Sequence, residues 1–191
     1  VIRDVSDARL VGDGGVEIGG VAIDSRAVSG GEVFVAVPGT RVDGHDFVAD
    51  AVERGAAAVV VEHPVELSVP VVVVGSAARA LALMASSFYG DPARDLTLCG
   101  VTGTNGKTSV AHMVRAIING SGLGKMGIVG TIGHGVTELT STVHTTPDAV
   151  TLHRLFREMI DAQCFGVVME VSSHAVRQHR TWGLDFEVGI L

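Results

Sequence analysis

A glycine-rich stretch in the second half of the chain constrains the fold more than any other feature. The sequence GVTGTNGKTS, residues Gly100–Ser109, follows an apolar run, Thr97–Val101, and leads into a segment with helical periodicity, Thr108–Asn119. Apolar side chains in that segment recur every three or four residues, which places them on one helix face. A strand, a tight turn and a helix in this order form a βα unit, the building block of α/β proteins with parallel sheets.

The same stretch has the chemistry of a phosphate-binding loop. Glycines let successive backbone N–H groups converge on phosphate oxygens, and a helix N-terminus adds partial positive charge. Lys107 would reach the β- and γ-phosphates of a nucleoside triphosphate, and the Thr108 hydroxyl would bind Mg²⁺. The commonest pattern requires a glycine where this chain has Val101; the glycines here are Gly100, Gly103 and Gly106. The alternative interpretation is a glycine-rich turn that only joins strand to helix.

Short apolar strands alternate with amphipathic helices along the whole chain, which predicts an α/β fold with a mainly parallel sheet. The Gly90–Asp95 segment interrupts this alternation, so we expect two domains, residues 1–92 and 93–191. The predicted strands are Val16–Ile23, Glu32–Val37, Ala58–Val61, Val71–Val74, Thr97–Val101, Gly127–Gly130, Val167–Val171 and Phe186–Leu191. The predicted helices are Asp46–Arg54, Ala77–Tyr89, Thr108–Asn119 and Pro147–Gln163.

Composition narrows the class of protein. The 191 residues are 47% hydrophobic and carry a net charge of −7, which argues against disorder and mildly against nucleic acid as a partner. The chain has no apolar run long enough to span a bilayer and no secretory signal, so we expect a cytoplasmic protein. Cys99 and Cys164 lack metal-ligand spacing. Because the chain begins at Val1 and its last strand has no following turn, we expect a piece of a longer protein.

Glu170 closes the apolar run VVME. A carboxylate at the end of a buried parallel strand faces the crevice where ligands of open α/β sheets bind. It would suit Mg²⁺ together with Thr108, because Mg²⁺ usually takes one or two protein oxygens in addition to phosphates and water. The alternative is a glutamate that simply faces solvent at a strand end.

Several further motifs accompany the glycine loop. They are GTIG (Gly130–Gly133), TTPDA (Thr145–Ala149), EVSSHAVRQHR (Glu170–Arg180), DSR (Asp24–Arg26), GGEVFVAVPG (Gly30–Gly39) and DGHDF (Asp43–Phe47). Together with GVTGTNGKTS they resemble the Mur ligases, from about Ile23 to Leu191. The family's loop has the glycine spacing found here. EVSSH is most similar to the members that add the third peptide residue. The resemblance implies a small N-terminal α/β UDP-binding domain followed by part of a phosphate-loop central domain.

The resemblance also implies roles for individual residues. The implied ATP-binding residues are Gly103, Thr104, Asn105, Gly106, Lys107, Thr108 and Ser109. The implied catalytic residues are Lys107, Thr108 and Glu170, of which Thr108 and Glu170 would bind Mg²⁺. Residues implied to hold the muramoyl-dipeptide end of the substrate are His144, Thr145, Thr146, Ser172, Gln178 and Arg180. Those implied to hold its UDP end are Ile23, Ser25, Thr40, Arg41 and Val42.

The reaction that the resemblance implies is formation of an amide bond at the expense of ATP. The γ-carboxylate of D-Glu in UDP-N-acetylmuramoyl-L-Ala-D-Glu would become an acyl phosphate and then be attacked by a diamino acid, meso-diaminopimelate or L-lysine, in peptidoglycan synthesis. We expect a monomer that binds no nucleic acid. Since the family's downstream histidine, carbamylated lysine and third domain are absent, we expect the chain to be inactive alone. The alternatives are a phosphate-loop phosphotransferase or NTPase and a non-catalytic nucleotide-binding paralogue.

Some motif residues have simpler explanations. In Thr-Pro-Asp, Thr146 would cap a helix and Pro147 would occupy its first position. His174 and His179 lack helical metal spacing, which favours orientation or packing. Trp182 is better explained by packing than by base stacking.

Overall fold

β-Branched and apolar runs form two separate five-stranded sheets, one in each of two units, Val1–Phe88 and Tyr89–Leu191. These come from a computed structural model that describes residues 5–39, 42–141 and 144–191. Both sheets are mainly parallel, so the predicted α/β class is confirmed. The domain boundary predicted after residue 92 lies within the first residues of the second unit.

The sheet of the first unit has the strand order β1-β5-β4-β3-β2. Its strands are Arg9–Val11, Gly20–Ala22, Glu32–Val35, Ala58–Val61 and Val71–Val73, numbered β1 to β5. All neighbours are parallel except β1, which runs antiparallel to β5. Helices α1 (Val48–Glu53) and α2 (Ala77–Phe88) complete the unit. Its core is aliphatic around Phe34, and α2 buries a row of alanines with Met84.

The sheet of the second unit has the strand order β10-β6-β9-β7-β8. Its strands are Thr97–Val101, Lys125–Val129, His134–Gly135, Cys164–Glu170 and Val188–Ile190, numbered β6 to β10. Only β8 runs antiparallel to its neighbour. The helices are α3 (Lys107–Ser121), α4 (Ala149–Asp161) and α5 (Ser173–Arg177). Two buried clusters, one around Phe156 and one around Ile128, form its core.

Several element bounds differ from the sequence-based ones. β3 ends at Val35 because the chain turns before Pro38, where the Val37 N–H bonds to the Val35 carbonyl at 3.0 Å. The helix expected at Asp46–Arg54 opens as a 3-10 turn, Gly44–Phe47, and only then becomes α1. Three short elements, β1, β8 and α5, were not predicted, because two to five residues carry too little periodicity to detect.

The predicted cap of α4 is wrong. Asp148, not Thr146, is the N-cap: its carboxylate accepts hydrogen bonds from the Thr151 N–H at 3.0 Å and the Thr151 hydroxyl at 2.8 Å. The helix therefore begins at Ala149 rather than Pro147. The Thr146 hydroxyl is instead drawn into a contact with strand β9, where it donates to the Glu170 carbonyl at 2.8 Å.

Candidate functional site

The glycine loop joins β6 to α3. Gly106 adopts φ +81°, a left-handed conformation that favours glycine, and α3 begins at the next residue. The Lys107 ammonium folds back over the loop and donates to the Gly103 carbonyl at 2.7 Å. Gly100 serves a different purpose, since a Cβ there would lie 3.0 Å from the Phe186 ring. The loop thus combines a helix N-terminus with a primary amine, the two features that attract phosphate.

Glu170 is the last residue of β9 and is 1% exposed. Its strand pairs with β6, so that Glu170 stands opposite Val101 at the start of the loop. The Thr108 hydroxyl donates to Oε2 at 3.0 Å. Thr131 contributes two further donors, its N–H to Oε1 at 2.8 Å and its hydroxyl to Oε2 at 3.1 Å. The buried carboxylate is therefore compensated by hydrogen bonds, as a buried charge requires.

The residues present fit a magnesium ion. Thr108 and Glu170 offer a hydroxyl and a carboxylate, the hard oxygen donors that Mg²⁺ prefers. Gly130 leaves room for the carboxylate, because a Cβ at that position would overlap Oε1 of Glu170. Among the described residues no group of three or more His, Cys, Asp or Glu could hold a metal. An ion here would thus share two protein oxygens and complete its shell with phosphate and water oxygens.

Thr145 and Thr146 lie beside this carboxylate but differ in accessibility. The Thr145 hydroxyl is 3.0 Å from the Thr131 hydroxyl. Thr146 is buried at 1% exposure, and besides donating to the Glu170 carbonyl its hydroxyl accepts the Ser172 N–H at 3.1 Å. Thr146 therefore braces β9 against the start of α4, whereas Thr145 lies nearer the surface. His144, the preceding residue, is exposed.

Ser172, Gln178 and Arg180 follow β9 and cluster around α5. Ser172 is the N-cap of α5, with its hydroxyl accepting the Ala175 N–H at 3.2 Å. Arg180 donates through Nη1 to the Thr146 carbonyl at 2.6 Å and through Nε to the Gln178 amide oxygen at 2.9 Å. A guanidinium fixed in this way is suited to a carboxylate or phosphate. His179 packs edge-on against Trp182.

The residues predicted to hold the UDP end belong to the first unit. Ile23 is 40% exposed, just after β2, and Val42 is also exposed. Ser25 is buried and opens a 3-10 turn, which Asp24 caps through the Arg26 N–H at 3.0 Å. Hydrogen bonds from Ser25 and Arg54 lower the pKa of Asp50. Thr40 and Arg41 lie outside the described residues.

Two sets of side-chain contacts, one in each unit, could not be predicted from the sequence. Thr131 belongs to the GTIG motif, but nothing in that motif indicates that its side chain contacts a carboxylate distant in sequence. His45 of DGHDF bridges Asp43 and the backbone N–H of Glu62, with contacts of 2.7 Å and 2.9 Å. The Thr131–Glu170 and His45–Glu62 contacts join segments that lie far apart in the sequence, whereas His45 and Asp43 are close neighbours in it.

The comparison with protein families decides the identity. Residues 17–89 match the Mur ligase family catalytic domain, and residues 101–191 match the Mur ligase middle domain. The chain belongs to the Mur ligase family. The part that matches the middle domain contains the glycine loop from Val101 onward, together with Thr131, Thr145 and Glu170. No helix within the described residues is both long and apolar enough to cross a membrane.

Two curated relatives of this Mur ligase chain carry the same name. The UDP-N-acetylmuramoyl-L-alanyl-D-glutamate--2,6-diaminopimelate ligase of Geobacillus thermodenitrificans is 45% identical over 178 residues, which cover 93% of this chain and 36% of that protein. The enzyme of the same name from Halalkalibacterium halodurans is 46% identical over 187 residues, which cover 95% of this chain and 37% of that protein. The chain thus spans little more than a third of the length of these relatives.

Solved structures of Mur ligases are also similar to this chain. A UDP-N-acetylmuramoyl-L-alanyl-D-glutamate--2,6-diaminopimelate ligase structure is similar with a TM-score of 0.75 and 26% identity, covering 90% of this chain and 35% of that one. The MurF ligase of Thermotoga maritima, in complex with ADP, is similar with a TM-score of 0.56 and 25% identity. The match covers 83% of this chain and 32% of that one. Both Mur ligases are longer than this chain, as the curated relatives are.

Proposed function

We propose that this chain is the part of a Mur ligase that binds ATP and the UDP-linked precursor. The whole protein would join a diamino acid to the D-Glu γ-carboxylate of UDP-N-acetylmuramoyl-L-Ala-D-Glu. One observation carries the proposal: the Thr108 hydroxyl, at the first turn of the loop helix, is 3.0 Å from the buried Glu170 carboxylate. A glycine turn that merely joined strand to helix would not require an acid at this position. The relatives' shared name supports diaminopimelate as the amine.

ATP and Mg²⁺ would supply the phosphoryl group that activates the carboxylate and the positive charge that offsets the phosphates. The chain's own part in this step is positioning. Backbone N–H groups of the loop and of the first turn of α3 would hold the phosphates. Lys107 would leave the Gly103 carbonyl and turn to the phosphate oxygens. Thr108 and Glu170 would hold the ion beside them.

The dipeptide end of the precursor would lie next to this centre. Arg180 would pair with a carboxylate of the precursor, since the Thr146 carbonyl and the Gln178 amide already fix the orientation of its guanidinium. Thr145 would contact the peptide, and Ser172, Gln178 and Thr146 would hold the surrounding backbone in place. Ile23, Ser25, Thr40, Arg41 and Val42 would contact the UDP end, and His144 the dipeptide end.

The nucleotide half of the proposal is tested by calorimetric titration of the chain with ATP and Mg²⁺. Lys107→Ala should weaken binding at least tenfold, because it removes the ammonium that would meet the phosphates. Lys125→Ala is the matched control: this lysine of the same unit donates to the Ala162 carbonyl at 2.9 Å and should not affect the nucleotide. Equal binding by wild type and Lys107→Ala would contradict the proposed loop function.

The precursor half is tested by titration with UDP-N-acetylmuramoyl-L-Ala-D-Glu, with UDP and GDP as comparisons. We expect the precursor and UDP to bind and GDP not to bind. Binding of ATP without binding of the precursor would instead favour a phosphotransferase or NTPase.

A further inference from the structure

Thr131 connects the proposed metal ligand to the proposed substrate contact. It follows β7 and Gly130, and its N–H and hydroxyl both reach the Glu170 carboxylate, at 2.8 Å and 3.1 Å. Its hydroxyl oxygen is also 3.0 Å from the Thr145 hydroxyl oxygen. Thr108 approaches the same carboxylate from the glycine loop at 3.0 Å. Three hydroxyl groups and one carboxylate thus form a continuous row from Thr108 to Thr145.

The chemistry of these groups fixes the direction of each hydrogen bond. Glu170 is the acceptor of both hydroxyl contacts, since Thr108 and Thr131 each donate to its Oε2. Each hydroxyl has one proton to donate. The Thr131 proton is therefore used at Glu170. The contact between Thr131 and Thr145 then has one possible donor, which is Thr145.

This direction determines what Thr145 offers to a ligand. Its only hydroxyl proton points inward to Thr131, so its remaining lone pairs point away from that contact. Such a group accepts a hydrogen bond from an N–H and gives nothing to a carboxylate. In the precursor, the N–H that is fewest covalent bonds away from the reacting γ-carboxylate is that of the L-Ala–D-Glu amide.

We propose that Thr131 is a positioning residue: it holds the Glu170 carboxylate for the metal and orients Thr145 to accept the L-Ala–D-Glu amide N–H. The proposal rests on the proposed function and assigns a role to a residue outside the glycine loop and the threonine pair. The turn around Thr131 does not depend on its side chain, because the Gly130 N–H bonds to the Gly133 carbonyl at 3.0 Å. Thr131 is exposed, so its hydroxyl can be removed without opening the core.

The metal arm of the test uses Mn²⁺ with ADP, followed by electron paramagnetic resonance on the 191-residue chain. Thr131→Val should weaken Mn²⁺ binding about tenfold or more, the usual cost of losing a group that orients a metal ligand. Thr131→Ser keeps both donors and should stay within about twofold of wild type. Thr137→Val, an exposed threonine of the same unit, is the control and should have no effect.

The outcomes separate this inference from the proposed function. Mn²⁺–ADP binding by wild type that is unchanged in Thr131→Val would overturn the role of Thr131 and leave the proposed function standing. No Mn²⁺–ADP binding by folded wild type would overturn both. If the Thr131→Val variant unfolds below the assay temperature, Thr131→Ala replaces it in the test, because it removes the same hydroxyl. Weakening in alanine but not in serine would then support the role.

The polarity arm compares the precursor with an analogue in which an ester replaces the L-Ala–D-Glu amide. Wild type should bind the ester about five- to tenfold more weakly, the cost of one hydrogen bond. Thr145→Val should bind both equally, because it has no acceptor to lose. Thr131→Val should also discriminate less between the amide precursor and the ester analogue, since the Thr145 hydroxyl can then turn its proton outward. Equal affinity of wild type for ester and amide would overturn the assignment.

Discussion

The two sheets have the same number of strands and one antiparallel edge strand each, yet they treat polar groups differently. Among the described residues, the first unit buries one polar side chain, Ser25, whereas the second buries Thr146, His153 and Glu170. In the first unit the central strand β4 is fully buried and aliphatic. In the second, the central strand β9 ends in a buried carboxylate. Two sheets of similar architecture can thus have a central strand that is wholly aliphatic or one that places a buried charge.

The largest effect that tests this contrast is expected in the aliphatic core of the first unit. Phe34 is 1% exposed, and Phe34→Ala should lower the free energy of unfolding by about 3–5 kcal/mol, through lost apolar contacts and a residual cavity. Guanidinium unfolding followed by circular dichroism measures the change. Phe47→Ala, at a phenylalanine of the same unit that is 40% exposed, should cost less, about 1–2 kcal/mol. Equal costs would mean that packing does not dominate this unit.

A comparable effect in the second unit should appear only in acid. Burial lowers the pKa of His153 from 6.5 to about 4. Between these values the unfolded chain binds a proton that the folded chain does not. The free energy of unfolding should therefore fall as pH drops from 6.5 to 4, by up to about 3 kcal/mol.

The variant His153→Leu isolates this contribution when unfolding is measured across that pH range. The difference between wild type and variant should change with pH in the stated direction. Thr137→Val, at an exposed residue of the same unit that does not titrate, should retain the wild-type slope. An identical slope in His153→Leu would show that His153 does not cause the acid sensitivity.

The next effect concerns the room left for the buried carboxylate. Gly130→Ala should displace Glu170, because the added Cβ would overlap Oε1. We expect Mn²⁺–ADP affinity to fall about 10- to 100-fold, as for other losses of support to a metal ligand. Gly120→Ala is the control: its Cβ meets nothing within 4 Å in α3, and it should leave binding unchanged. Full affinity in Gly130→Ala would contradict the tight fit.

The smallest effect distinguishes the observed cap of α4 from the predicted one. Asp148→Ala removes the acceptor of two hydrogen bonds from Thr151 and should cost about 1 kcal/mol in thermal or chemical unfolding. Asp161→Ala breaks only an exposed ion pair with Arg157 and should cost less than about 0.5 kcal/mol. If Asp148→Ala left the free energy of unfolding unchanged, Asp148 would not be the residue that stabilises the start of α4.

Patterns local in sequence predicted the fold class and the strand, turn and helix around the glycine loop. Glycine spacing, Lys107 and the helical stripe after it lie within one βα unit, and the apolar run before Glu170 marks a buried strand. The contact between Thr108 and Glu170 follows from parallel pairing of β6 and β9, which the topology of α/β proteins makes predictable.

Contacts between distant segments were beyond such patterns. Thr146 and Asp148 are both good capping residues, and only the position of the Glu170 carbonyl decides that Thr146 turns away from the helix. In the sequence, His153 is a polar residue beside an apolar stripe, yet it is buried in the structure, where α4 also packs against the 3-10 turn Pro92–Asp95. Thr131 carries no pattern of its own, and its role depends on two partners that lie on other segments.

The fit between Gly130 and Glu170 also limits how this pair can diverge among related sequences. Any side chain at position 130 would take the volume that the glutamate carboxylate now fills. Sequence drift at one position therefore requires a matching change at the other, for example alanine at 130 with the shorter aspartate at 170. The two positions should covary across the family, and an alignment of many such chains should show few combinations of a larger residue at 130 with glutamate at 170.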